Sequence, residues 1–199
     1  MRISPMRRVP LTMAIALLLC ASSLLTACSS GDQVPAVQRV SEPVNIDGLA
    51  DGYTGQPLEI AGAKLYIAHD GSQLYVHVTA PAAGWISVGF NKPEGGMDGA
   101  NLILGMLTEI GGTISNELGR GTAHSPAAEA ADFEVVLKTQ PEGLTMEFAY
   151  PMQFPANGGF ALAGLRPGDE FTLLVAYHQT STAYTRHTAR GALQVKVGR

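Results

Sequence analysis

Residues 64–79 read KLYIAHDGSQLYVHVT, and this stretch decides the fold class. Lys64–His69 and Gln73–Thr79 are rich in β-branched and aromatic residues, and the turn dipeptide Asp70-Gly71 lies between them, so the spacing predicts a β-hairpin. Side chains alternate across a strand, which places Leu74, Val76 and Val78 on one face and Tyr75, His77 and Thr79 on the other. Outward from the hairpin the same texture recurs. Short apolar segments between turn signals predict strands at 84–90, 101–108, 113–117, 133–139, 144–151, 170–179 and 191–197. From Pro43 onward Gly and Pro are frequent and helical periodicity is scarce; one helical turn over Ala127–Ala131 is the most the pattern allows. The expected fold is all-β, an immunoglobulin-like two-sheet β-sandwich of about nine or more strands.

Before this domain the chain carries an export signal. Arg2, Arg7 and Arg8 form a positive head, an apolar run spans Leu11 to Leu25, and Leu25-Thr26-Ala27-Cys28 follows. A charged head, a short apolar run and small residues at a cleavage point are the signature of a processed segment. Pro10 and the serines shorten the run below what a stable span needs. The last four residues resemble a bacterial lipobox, which implies removal of Met1–Ala27 and acylation of Cys28. Ser29 stands where an aspartate favours inner-membrane retention, so the periplasmic face of an outer membrane, or the cell surface, is the expected address. Residues 28–42 are polar and aperiodic after the cysteine and are expected to be a tether, with the sandwich over 43–199.

Processing would change the chemistry available. The first 27 residues hold three of the 13 basic residues and none of the 17 acidic ones, leaving ten against 17, a formal −7. Nucleic acids and anionic membranes need a basic face, so neither is an expected partner. Lipid on Cys28, not charge, is the expected hold on the membrane. Cys20 leaves with the signal, which excludes an internal disulfide, a thiolate catalyst and a cysteine-ligated cluster in the mature domain.

The segment that carries chemistry is Gly84–Leu104, GWISVGFNKPEGGMDGANLIL. A strand with the only tryptophan, Trp85, ends at Gly89-Phe90; a loop with Pro93, Gly95, Gly96 and Met97 follows, and a second apolar strand begins after Gly99. A flexible thioether normally fills a core gap, so a methionine in a polar glycine-rich loop predicts that something covers it.

These residues resemble the signature of DOMON domains: Gly84-Trp85, Gly89-Phe90, Met97 and Gly99-Ala100-Asn101. The C-terminal stretch Tyr184-Thr185-Arg186-His187-Thr188, then Gly191-x-Leu193-x-Val195, is similar to the loop histidine and closing strand of the haem-binding members. Those members include the cytochrome domain of cellobiose dehydrogenase and plant apoplastic b-type cytochromes. Val44-Asn45-Ile46-Asp47-Gly48 with Leu74-Tyr75-Val76 resembles the wider superfamily, shared with family 9 carbohydrate-binding modules and the haem subunit of ethylbenzene dehydrogenase. The resemblance implies non-covalent haem b with Met97 and His187 as axial ligands, presented by neighbouring loops at one sandwich edge. It implies further that Trp85, Phe90 and Tyr184 pack on the macrocycle. A Met/His pair leaves iron six-coordinate, suited to one-electron transfer, and the absence of Cys-x-x-Cys-His excludes covalent attachment. A membrane cytochrome or an exported oxidoreductase is then the expected redox partner.

Competing readings stay open. His178, nine residues before His187, is an alternative ligand, although a strand cap is its plainer role. His69 and His77 read as surface or half-buried side chains, and His124 as part of a mobile loop. The histidines lack a close H-x-x-x-H pairing. No Gly-x-Ser-x-Gly elbow or P-loop is present, and Asp47/Asp51 and Asp169/Glu170 sit at turns, so side-chain catalysis is not expected. The alternatives to an electron carrier are a haem-free module that holds a sugar or other small ligand, with Trp85 and the tyrosines as a platform, and a purely structural lipoprotein.

Overall fold

The computed structural model describes residues 33–184 and 186–199; the expected signal segment, Cys28 and Thr185 lie outside the described residues. Val34–Arg199 form one compact unit. Twelve strands follow in chain order: β1 Ala36–Arg39, β2 Leu58–Ile60, β3 Ala63–His69, β4 Gln73–Ala80, β5 Trp85–Asn91, β6 Asn101–Thr108, β7 Gly111–Arg120, β8 Ala123–Pro126, β9 Glu134–Gln140, β10 Gly143–Pro151, β11 Glu170–His178 and β12 Ala189–Val197.

One layer runs β8-β7-β6-β5-β11-β12 and the other β3-β4-β10-β9, with β2 on the edge of β3. β1 joins them. Its first half pairs in parallel with β12 (Ala36 with Lys196, Val37 with Val197) and its second half with β3 (Gln38 with Ala68, Arg39 with His69). The tether expected over 28–42 is therefore corrected for residues 36–39, where Val37 is fully buried. A four-residue strand held by backbone pairing to two neighbours carries too little side-chain pattern to be seen in advance.

The core lies between the layers, as alternation requires. Leu74, Val76 and Val78 face it from β4, Ile86, Val88 and Phe90 from β5, and Phe171, Leu173 and Val175 from β11. Tyr150 bridges the layers by donating its hydroxyl to Asn116 Oδ1 (2.8 Å), while Asn116 Nδ2 donates to Asn101 Oδ1 (2.6 Å). A buried polar group costs stability unless it is paired; these three pair one another, with Asn101 Nδ2 left without a partner among the described residues.

The β3–β4 turn forms at Asp70-Gly71, with Asp70 Oδ1 accepting the backbone N–H groups of Ser72 (2.7 Å) and Gln73 (2.8 Å). Gly71 carries φ +102°, a conformation that side chains disfavour. No helical turn forms over 127–131. His69, expected near the surface, is fully buried, because its strand continues into the layer junction made by β1. His124, expected in a mobile loop, lies in β8, paired with Gly119 of β7.

Candidate functional site

Each layer also has an outer face. On β5 the inward residues are Ile86, Val88 and Phe90, so Trp85, Ser87 and Gly89 face out. Register continues that face across two more strands: Ser87 stands opposite Ala176 and Ala176 opposite Arg190, while Gly89 stands opposite Leu174 and Leu174 opposite Ala192. Most of these side chains are small. They leave a shallow apolar floor across β5, β11 and β12.

Two loops flank this floor. The β5–β6 loop carries Met97 and leaves from the Asn91 end of β5; the β11–β12 loop carries His187 and leaves from the opposite end, where His178 pairs with Trp85. This corrects the expectation of neighbouring loops at one edge. The antiparallel pairing of β5 with β11 forces the two loops to opposite ends. They nevertheless converge over the face: Met97 and Tyr184 pack in one small apolar cluster with Ala100, Leu102, Leu104 and Leu174.

Each loop is seated over a glycine. A Cβ on Gly119 of β7 would lie 1.8 Å from the carbonyl oxygen of Met97, and one on Gly84 would lie 2.0 Å from that of Ser181. Only a residue without a side chain admits backbone so close. The Met97 loop is pinned further by Asn91, a fully buried residue whose Nδ2 donates to the carbonyls of Gly96 (2.7 Å) and Asp98 (2.8 Å), on either side of the methionine. Trp85 holds the other loop, donating its indole N–H to Ala183 O (3.2 Å) and meeting Tyr184 edge-on at 5.8 Å.

Between the loops lies a cavity of about 360 Å³ lined by Met97, His187, Leu174, Ala176, Arg190 and Ala192, with Ser87, Gly96, Val175 and Gly191 completing it. Its lining is mostly apolar and its size falls among small-molecule sites. Met97 is half-buried, whereas His187 and Arg190 are exposed. Arg190 Nη1 lies 3.4 Å from His187 Nε2.

The remaining expected residues fall elsewhere. Phe90 is corrected: it is fully buried in the core against Phe148, Tyr150, Phe154 and Phe171, and does not line this cavity. Trp85 and Tyr184 position a loop and do not line the cavity either. His178 caps a turn: its Nδ1 accepts the backbone N–H groups of Thr180 (3.1 Å) and Ser181 (2.8 Å). Tyr184 also meets the ring of His124, and His124 Nδ1 contacts the Glu117 carboxylate. Burial first, and the Glu117 charge second, hold the Tyr184 hydroxyl above its usual range. Among the described residues no three or more His, Cys, Asp or Glu side chains group as metal ligands. Reading the sequence missed Asn91, Arg190 and the small-residue floor. The parity of β5, β11 and β12 held the only signal for the floor.

No protein-family model matches the chain, and no curated protein does. Among solved structures it is similar to the cytochrome b domain of pyranose dehydrogenase from Coprinopsis cinerea, at 12% identity, TM-score 0.48, covering 67% of this chain and 75% of that one. It is similar also to the cytochrome domain of Myriococcum thermophilum cellobiose dehydrogenase, at 15% identity, TM-score 0.47, covering 75% and 79%. A family 9 carbohydrate-binding module from Caldicellulosiruptor kristjanssonii in complex with glucose aligns at 16% identity, TM-score 0.46, covering 82% and 95%. Likeness this distant assigns neither haem nor sugar to this chain.

Proposed function

We propose that the cavity between the two loops binds haem b non-covalently, and that the protein is a one-electron carrier held at a membrane surface through lipid on Cys28. One observation carries the haem reading: Met97 and His187, ninety residues apart in sequence, line the same apolar cavity. A thioether and an imidazole are the donor set of low-spin electron-transfer haem, and the sequence has no Cys-x-x-Cys-His motif to attach the ring. The floor of Ala176, Leu174 and Ala192 suits a flat apolar molecule.

A sugar finds less to hold it. Stacking needs an exposed aromatic ring, but Trp85 is 3% exposed with its N–H already donated, and the Tyr184 hydroxyl is buried. Bound haem would supply one reversibly held electron, and Met97 and His187 would be the residues that hold its iron. The chain's own residues do the rest. Asn91 and Gly119 fix the Met97 loop, Trp85 and Gly84 fix the His187 loop, and Leu174, Ala176 and Ala192 supply an apolar floor.

Titrating the purified protein with haemin tests this reading. The expected product is a low-spin spectrum with the weak far-red band of a thioether–ferric bond. Met97→Ala should abolish that band, and His187→Ala should leave high-spin haem or none. A colourless protein after titration, or unchanged spectra in both variants, overturns the assignment. For the anchor, Cys28→Ser is expected to move the protein from membranes to the soluble fraction; continued membrane partitioning would remove Cys28 from the proposal.

A further inference from the structure

The cavity contains one group that axial ligation does not use. Arg190 on β12 is the sole cationic side chain among the lining residues. Guanidinium has donors only, so in its contact with His187 Nε2 it is an Arg190 N–H that points at the imidazole lone pair. The two ion pairs found among the described residues, Glu117 with His124 and Glu170 with Lys196, leave Arg190 out. In a chain with an excess of acidic residues, this arginine has no carboxylate at ion-pair distance among the described residues and stands at the rim of an apolar cavity. Across the sheet its neighbours on that face are Ala176 and then Ser87, both small, so the guanidinium meets no bulky side chain along that row.

We propose that Arg190 recognises an acidic substituent of the occupant, so that the site selects a flat apolar molecule carrying a carboxylate at one edge. The inference rests on the haem reading to the extent that the propionates of haem are that carboxylate. A planar fork of donors pairs two carboxylate oxygens at once, which fixes orientation as well as adding affinity. The pairing also exchanges partners. A nitrogen that ligates a metal gives up the N–H it accepts, so an occupied site releases Arg190 from His187 at the step where the carboxylate arrives.

The test compares haemin with haemin dimethyl ester, which keeps ring and iron and removes the charge, in spectrophotometric titrations of the wild type and Arg190→Gln. The wild type is expected to bind the free acid about tenfold more tightly than the ester, with the preference shrinking as salt rises. Arg190→Gln should bind the two alike, at the wild-type affinity for the ester. A variant that keeps the tenfold preference places the anion elsewhere and overturns the assignment. A wild type that binds acid and ester equally, with its low-spin spectrum intact, removes Arg190 and leaves the haem reading standing. A wild type that binds neither removes both.

Discussion

The two outer faces of the sandwich are built by the same alternation and finished differently. On the β3-β4-β10 face the chain covers itself: Val44, Ile46 and Tyr53, from the segment between β1 and β2, bury against Ala68 and Tyr75. Glu147 of β10 locks this segment down, its Oε2 accepting the backbone N–H groups of Asp47 (2.9 Å) and Gly48 (2.5 Å), and Lys138 Nζ donates to Asp47 O. Among the described residues no such segment is laid down on the β5-β11-β12 face. The floor there is built mostly of small side chains; two loops at its margins present a thioether and an imidazole, and β12 adds the guanidinium of Arg190. An apolar face that the chain covers is a second core. One that it flanks with donors is a site.

Breaking the lock on the covered face should give the largest effect. Glu147 is fully buried, and Glu147→Ala strands two backbone N–H groups, for a loss of about 3 kcal/mol in chemical denaturation. Glu147→Gln keeps an acceptor and should lose little. Burial pushes the Glu147 carboxyl up, with the N–H groups of Gly48 and Asp47 and the Tyr53 hydroxyl pulling against it. A raised folded pKa means a contribution complete below the unfolded value and lost as pH rises through the folded one. The wild type should therefore lose stability over that window relative to Glu147→Gln. An Ala variant as stable as the wild type would show that the segment does not depend on this carboxyl.

Placing the same bulk on each face sharpens the contrast. Ala68 is 2% exposed under the covering segment, so Ala68→Phe overpacks it and should cost about 2 kcal/mol. Ala192→Phe projects into the open cavity and should change stability by about 0.5 kcal/mol or less, while weakening haemin binding about tenfold or more. Calorimetry of both variants, with haemin titration of the second, reads the difference. Equal destabilisation by the two would mean that the cavity is as tightly filled as the core.

What could be read in advance follows from the range of the interaction responsible. The β3–β4 hairpin is legible because turn and alternation are local; Met97 stands out as a thioether in a polar glycine-rich loop, whereas His187 is singled out only by the resemblance of its loop and closing strand. β1 is not, since its cohesion is backbone pairing with β3 and β12, strands that both lie further along the chain. Phe90 was misplaced although parity already spoke against it: Trp85 and Phe90 are five residues apart on one strand, so they cannot face the same ligand. Arg190 lies three residues from His187, but that it faces the floor beside Ala176 follows only from the register of β11 with β12, and a single sequence does not carry register.

The smallest effect is expected at the rim of the covered face, where Asp70 Oδ2 accepts the hydroxyl of Tyr75 (2.6 Å). Burial raises the Asp70 carboxyl, but bonds from Tyr75, Gln73 and Ser72 outweigh it and hold it down at about 2. A depressed folded pKa gives stability that is complete above the unfolded value, about 4, and lost as pH falls through the folded one. Partial solvent screening limits the gain to about 1 kcal/mol. Asp70→Asn removes the titration, so wild type and variant should differ at pH 6 and converge near pH 2 in thermal unfolding. The haemin affinity of the two should be equal throughout, because Asp70 lies on β3's side of the sandwich and the cavity on the other. A gap in stability that persists at pH 2 would assign the effect to turn geometry and not to charge, and a shift in haemin affinity would show that the two outer faces are coupled through the core.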